Sequence, residues 1–223
     1  MLQINDLIHT VTLVKARNDK FINTGTAFFV KKDDQHYLFS NRHIFETCHT
    51  FSFSIPFMGD NNQYQIENTE IEISPTCHPE YDLAAIGIND VVSKMAEKGE
   101  RKYSIKFIEY NDILSEDKIH LLSDIEHVYL IGYPHGLKGD SLGIPIVKHG
   151  ITSTSILHNY KRKEEFITDI YCDKGSSGSP IFIEKNDQFF LLGIHYSKLE
   201  LDTTNISLGV NIKSSVLYNW LES

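Results

Sequence analysis

Cysteine is scarce: Cys48, Cys77 and Cys172 are the only three in 223 residues. An odd number, spread widely and without a secretion signal, excludes the disulfide framework of a small secreted domain. Cys48-His49 and Cys77-His78 are adjacent pairs, but neither has the Cys-x2-4-Cys or His-x3-5-His spacing of a structural zinc site. No metal and no other cofactor is expected, and Cys172 reads as a small packing residue. Positive charge is also short. The formal net charge is −9 and the pI about 5.6, which disfavours nonspecific binding to nucleic acid. The densest basic cluster, Lys161-Arg162-Lys163, is cancelled at once by Glu164-Glu165 and reads as an exposed hairpin tip. No apolar run is long enough to span a membrane. The first residues, Met1-Leu2-Gln3-Ile4, lack a cationic-then-apolar signal segment. A cytoplasmic protein is expected, with neither nucleic acid nor membrane among its partners. The sequence shows no internal repeat or low-complexity tract, and no appended interaction domain is expected.

What is present reads as β-structure. Val11 to Val14, Ala27 to Val30, Tyr37 to Phe39, Ile71 to Ile73, His127 to Ile131 and Ile181 to Ile183 are short runs rich in β-branched and aromatic residues. Asn61-Asn62 and Lys185-Asn186-Asp187 mark hairpin turns. Such spacing belongs to sandwiches and barrels, not to alternating βαβ units. Helical signals are few. Asn89 to Lys98 has an Asn/Asp start and Gly99 as a stop, and Ser214 to Leu221 places Val216, Leu217, Trp220 and Leu221 on one face. Hydrophobic content of 41% and charged content of 23% are globular values, and the length suits one functional module of two subdomains.

Chemistry is suggested by Gly175-Ser176-Ser177-Gly178-Ser179-Pro180, a serine in a glycine-flanked turn between two strand-like runs. A serine hydroxyl becomes a nucleophile when a base can take its proton and backbone N–H groups converge on the developing oxyanion. Glycines let a turn bring those groups close. Two upstream segments supply the rest: Ser40-Asn41-Arg42-His43-Ile44-Phe45 and Tyr81-Asp82-Leu83-Ala84-Ala85-Ile86. The order His43, Asp82, Ser177 is that of chymotrypsin; other triads run in other orders. Each residue alone also fits a structural role: a partly buried histidine, a turn-capping aspartate, a loop hydroxyl.

Jointly, these segments resemble the trypsin-like serine peptidases of the PA clan. Gly25-Thr26-Ala27-Phe28-Phe29-Val30 resembles the strand before the catalytic histidine, and Asn41-Arg42-His43 the short motif ending in it. Asp82-Leu83-Ala84 matches the Asp-(Leu/Ile)-Ala motif, and Gly175 to Pro180 the Gly-x-Ser-Gly-(Gly/Ser)-Pro motif. Ile131-Gly132-Tyr133-Pro134, His149-Gly150-Ile151-Thr152 and Asp169 resemble segments of the bacterial HtrA type. The resemblance covers about residues 10 to 215. It implies an all-β fold of two six-stranded antiparallel Greek-key barrels, at about 10–110 and 120–212, closed by a helix at 214–222. The whole chain, 1–223, would be a single peptidase domain with no room for a PDZ domain.

It further implies a serine endopeptidase. His43, Asp82 and Ser177 would form the triad, and the backbone N–H groups of Gly175 and Ser177 the oxyanion hole, with a protein or peptide as substrate. A regulatory or activating protein is a plausible further partner, because an unrestricted protease would endanger its own cell. Ser176 departs from the aspartate that digestive members use to receive a new N-terminus, so activation by N-terminal cleavage is not expected. Lys174 stands where HtrA-type proteins often have proline and fits a solvated surface lysine. Gly193-Ile194-His195 resembles glutamyl endopeptidases and picornaviral chymotrypsin-like proteases, where the histidine meets a glutamate or glutamine side chain. His195, Tyr171, Cys172 and Tyr196 would line that specificity pocket, with Tyr171 at its floor; a structural histidine in the barrel is the alternative. The competing reading of the whole chain is a catalytically silent or latent binding module on the same fold.

Overall fold

The computed structural model describes residues 1–223 except 1, 19, 21, 47, 49, 59–63, 73, 99–101, 140–142 and 201–206. After a short helix α1 (Ile4–Leu7), the first sheet is built from β1 (Val11–Arg17), β2 (Ile22–Lys32), β3 (Gln35–Ser40), β4 (Thr50–Met58), β5 (Tyr64–Ile71), β6 (Thr76–Cys77), β7 (Ala84–Gly87), β8 (Lys102–Tyr103) and β9 (Ile108–Glu109). Helix α2 (Arg42–Phe45) follows β3 and α3 (Asn89–Glu97) follows β7. After α4 (Glu116–Ile119) the second sheet comprises β10 (His127–Gly132), β11 (Ile146–Ile151), β12 (Glu165–Thr168), β13 (Pro180–Lys185), β14 (Gln188–Glu200) and β15 (Ser207–Lys213), and α5 (Ser214–Glu222) closes the chain.

The second sheet has six strands in the order β11-β10-β13-β14-β15-β12. The first has nine, where six were expected. The surplus is β6, β8 and β9, each two residues long, and β9 joins β2 in parallel, so this sheet is not purely antiparallel. The molecule is a two-barrel, chymotrypsin-like β-fold with a C-terminal helix. The run Ile71 to Ile73 also needs correcting: β5 ends at Ile71 and Glu72 lies outside it, while residue 73 is not described. The Asn61-Asn62 turn and Gly99 also fall outside the described residues. At the β13–β14 hairpin, Asn186 and Asp187 both have positive φ, 52° and 59°, as a tight turn matching strand twist requires. Lys161 and Arg162 are exposed as expected, but they sit in a one-turn 3-10 segment of the β11–β12 connection, not at a strand hairpin.

Three apolar clusters organise the interior. One lies within the first sheet, around Phe29, Phe53 and Ile55; another within the second, around Val128, Phe166 and Ile181. The third joins them, bringing Val11, Phe28 and Leu83 against Ile131, Phe182 and Leu217. The alternation of each strand thus serves two cores. Val14 and Ala27 point into one, Leu13 and Phe28 into the other. Among the described residues, no helix is long and apolar enough to cross a membrane.

Candidate active site

Strand register brings the first two polar residues together. β3 pairs with β7 so that Ser40 faces Ala84. Two residues onward the chain has become α2, and Asp82, just before β7, lies against its first turn. Asp82 Oδ1 accepts a hydrogen bond from the His43 backbone N–H at 3.0 Å. Asp82 Oδ2 accepts from His43 Nδ1 at 2.6 Å. Burial alone would raise the Asp82 carboxyl. The hydrogen bonds from the His43 ring and backbone, and the charges of His43 and Arg42, outweigh it and hold the group below its ordinary range. Asn41, wholly buried, donates from Nδ2 to the Asp82 carbonyl at 2.8 Å and fixes the backbone there. With Nδ1 committed to Asp82, a neutral His43 presents an unprotonated Nε2.

Ser177 lies in the loop between β12 and β13, which hangs from both sheets. From the first, the Thr26 N–H donates to the Ser177 carbonyl at 2.9 Å and Thr26 Oγ1 donates to the Gly175 carbonyl at 2.9 Å. From the second, the Gly178 N–H donates to the His195 carbonyl at 2.9 Å. Gly25 lets the pieces close up, because a Cβ there would lie 2.2 Å from Ile44 Cδ1 and 3.2 Å from the Ser177 carbonyl. The α2 segment carrying His43 and the loop carrying Ser177 therefore pack on the same point of β2. Ser177 Oγ makes no hydrogen bond among the described residues.

The peptide planes of this loop are individually held. The Lys174 carbonyl accepts from the His135 N–H at 2.5 Å, and the Ser176 carbonyl accepts from the Ser179 N–H at 3.0 Å. In a planar trans peptide the N–H points opposite to the C=O. Pinning these carbonyls therefore turns the Gly175 and Ser177 N–H groups the other way, where neither finds a protein acceptor among the described residues. Gly175 adopts φ +89°, and a Cβ on it would lie 2.4 Å from the Tyr133 carbonyl. Only glycine fits there without strain.

His195, on β14, is 3% exposed. Its N–H donates to the Ser179 carbonyl at 2.9 Å, and its Nδ1 pairs with Asn211 Oδ1 at 3.1 Å. Asn211 Nδ2 is within reach of the Phe166 and Gly209 carbonyls and Thr168 Oγ1, so the Asn211 oxygen is the end that faces the ring. Nδ1 therefore carries the proton. Burial lowers the His195 pKa to about 4, so the ring is neutral above acid pH, with Nε2 as an acceptor. Cys172 is buried, which pushes its thiol up to about 12. A Cβ on Gly209 would lie 3.4 Å from its sulfur. Tyr171 is 56% exposed, with Lys148 Nζ 5.7 Å over its ring. Tyr196 is the extra residue of a β14 bulge, between His195 opposite Asn211 and Ser197 opposite Val210. Its hydroxyl donates to Glu165 Oε1 at 2.9 Å; burial and then that carboxylate raise its pKa. Lys174 is exposed. Asp169 Oδ1 accepts from the Ile151 N–H at 2.7 Å and fastens the end of β11.

Thr26, Asn41, His135 and Asn211 were not singled out from sequence for these supporting roles. The one available signal was a polar residue inside an apolar strand, as in Val210-Asn211-Ile212.

The family of trypsin-like peptidase domains matches residues 25–194. No curated protein sequence matches the chain. Among solved structures, the serine endoprotease from Yersinia pestis superposes with a TM-score of 0.62 at 18% identity, covering 98% of this chain and 64% of that one. The MamO protease domain from Magnetospirillum magneticum gives 0.61 at 14%, covering 98% of both chains. The HtrA-type protease AlgW with a tripeptide gives 0.64 at 16%, covering 99% of this chain and 61% of that one. This chain thus spans under two thirds of the Yersinia and AlgW chains, and these likenesses establish the fold. With the family match covering most of the sequence, the chain belongs to the trypsin-like peptidases.

Proposed function

We propose that this protein is a serine endopeptidase in which Ser177 is the nucleophile, His43 the general base and acid, and Asp82 the residue that orients and stabilises the imidazolium. The observation that carries this reading is the 2.6 Å hydrogen bond between His43 Nδ1 and Asp82 Oδ2, reinforced by the His43 backbone N–H on the same carboxylate. Ser177 Oγ attacks the peptide carbonyl as its proton passes to His43 Nε2. The oxyanion is received by the Gly175 and Ser177 N–H groups. His43 then protonates the leaving amine, and the acyl-enzyme is hydrolysed by water activated at the same nitrogen. The substrate is a protein or peptide, cut at restricted sites under the control of its own recognition or of an activating partner.

At the residue before the scissile bond, His195 is the specificity determinant. An acceptor Nε2 on a neutral ring favours a side-chain amide over a carboxylate, so of glutamate and glutamine we favour glutamine. Three free thiols and a net charge of −9 fit a cytoplasmic protein that binds neither nucleic acid nor membrane.

A second reading, a silent or latent module on this fold, is favoured by the missing hydrogen bond between Ser177 Oγ and His43; such bonds commonly tighten only on substrate binding. A fluorophosphonate probe separates the two. Labelling that disappears in Ser177→Ala supports the peptidase, and no labelling of the folded wild type supports the silent module. Peptide-library cleavage after glutamine that is lost in His195→Ala supports the pocket, whereas cleavage after lysine or arginine overturns it.

A further inference from the structure

We infer that Thr26 is a positioning residue for the oxyanion-binding peptides, and this rests on the serine-peptidase reading. Thr26 lies in β2 of the first sheet, fully buried, and four of its hydrogen bonds meet at the loop and its supports. Its N–H donates to the Ser177 carbonyl at 2.9 Å. Its hydroxyl donates to the Gly175 carbonyl at 2.9 Å and accepts from the Tyr133 N–H at 3.0 Å. Its own carbonyl accepts from Ser40 Oγ at 2.5 Å. The hydroxyl is thus a relay: a donor from the 133–136 turn enters it, and its proton leaves toward the loop.

The consequence follows from peptide geometry. Gly175 is held at both ends of its residue. On one side the Lys174 carbonyl is tied to the His135 N–H, two residues after Tyr133; on the other the Gly175 carbonyl is tied to Thr26. Rotation of the 174–175 peptide, which would swing the Gly175 N–H out of line, changes ψ of Lys174 and φ of Gly175 together. Glycine offers little steric resistance to such a rotation. The direct resistance comes from the Lys174–His135 tie; Thr26 supports it by holding the Tyr133 N–H, two residues before His135, and by fixing the adjoining 175–176 peptide through its bond to the Gly175 carbonyl. A threonine hydroxyl in an apolar strand fits this double donor–acceptor duty, which neither valine nor alanine can perform.

The test compares wild type, Thr26→Val, Thr26→Ala and Thr26→Ser on a cleavable peptide, with thermal unfolding measured on each. Valine keeps the β-branched shape, but its methyl must sit where an oxygen now lies 2.9 Å from the Gly175 carbonyl. Alanine removes the group without that clash and is the second variant should valine fail to fold. Serine retains the hydroxyl. A positioning role predicts a fall in kcat of about tenfold or more in valine and alanine, little change in KM, and recovery in serine. Affinity for a peptide boronate, which needs the N–H groups, should fall with kcat, while affinity for a substrate peptide bound to Ser177→Ala should not. Folded variants that keep kcat despite a lower melting temperature overturn the proposal and leave the peptidase reading intact. A wild type that neither labels with fluorophosphonate nor cleaves peptide overturns both.

Discussion

At Gly175 a single methyl group has nowhere to go. With φ +89° and the Tyr133 carbonyl 2.4 Å from the would-be Cβ, Gly175→Ala should rotate the peptide even though no functional side chain is lost. The expected outcome is a fall in kcat of about tenfold or more, with the chain still folded. Unchanged turnover would remove Gly175 N from the oxyanion site. His195 makes a prediction about pH. Its pKa is about 4 when folded against 6.5 for the free group, so between those values the unfolded chain binds the additional proton. Stability is therefore complete above about pH 6.5 and declines toward pH 4, by about 3 kcal/mol from this residue alone. Urea midpoints at pH 7 and pH 4.5 should differ more in wild type than in His195→Phe; equal differences would show that the buried ring is not the cause. At this scale His43, Asp82 and Ser177 were legible as candidates because each sits in a local motif. The atoms that orient them were not. Thr26 and Gly175 are 149 positions apart and Asn41 and Asp82 are 41, and no local pattern announces such partners.

Among the elements, α5 does more than terminate the chain. It follows directly from β15 in the second sheet, yet its Trp220 ring packs on Phe39 of β3 at 5.8 Å and on His78 at 5.2 Å. Lys32 of β2 donates to the Leu221 carbonyl at 2.6 Å and pairs with Glu222 at 3.1 Å. The helix is a strap from one barrel across to the other. Because Trp220 is half-buried, Trp220→Ala should cost about 2 kcal/mol, less than a full core truncation. A urea midpoint within error of wild type would refute the strap. The helix was legible as an apolar face at i, i+1, i+4 and i+5, and the long strands as alternating runs. The two-residue strands were not, since β8 and β9 exist through pairing with β4 and β2 and carry no period of their own.

For the whole molecule, the decisive feature is the third apolar cluster, which mixes residues of both sheets. Neither sheet can expose its share of Phe28, Leu83, Phe182 and Leu217 without exposing the other's. The two barrels should therefore unfold in one transition, with far-UV circular dichroism and the fluorescence of Trp220 giving the same midpoint. Two separated midpoints would mean that the shared cluster does not couple them. Strand spacing made a sandwich or barrel legible, and the two-barrel architecture followed from the family resemblance that the motifs carry. The mixed core was not, because alternation along a strand tells which residues are buried but not which of two cores receives them.

The pinned carbonyls around Ser177 join local chemistry to this global cooperativity. Thr26 reaches the Ser177 loop from one barrel and His135 from the other. A ligand that needs the loop's N–H groups in place is thus a ligand for the closed arrangement of both barrels. By mass action its binding stabilises the fold by an amount that grows with its concentration relative to its Kd. The melting temperature of the entire protein then becomes a readout of what sits at one peptide group, and a search for its substrates or inhibitors can begin with a thermometer.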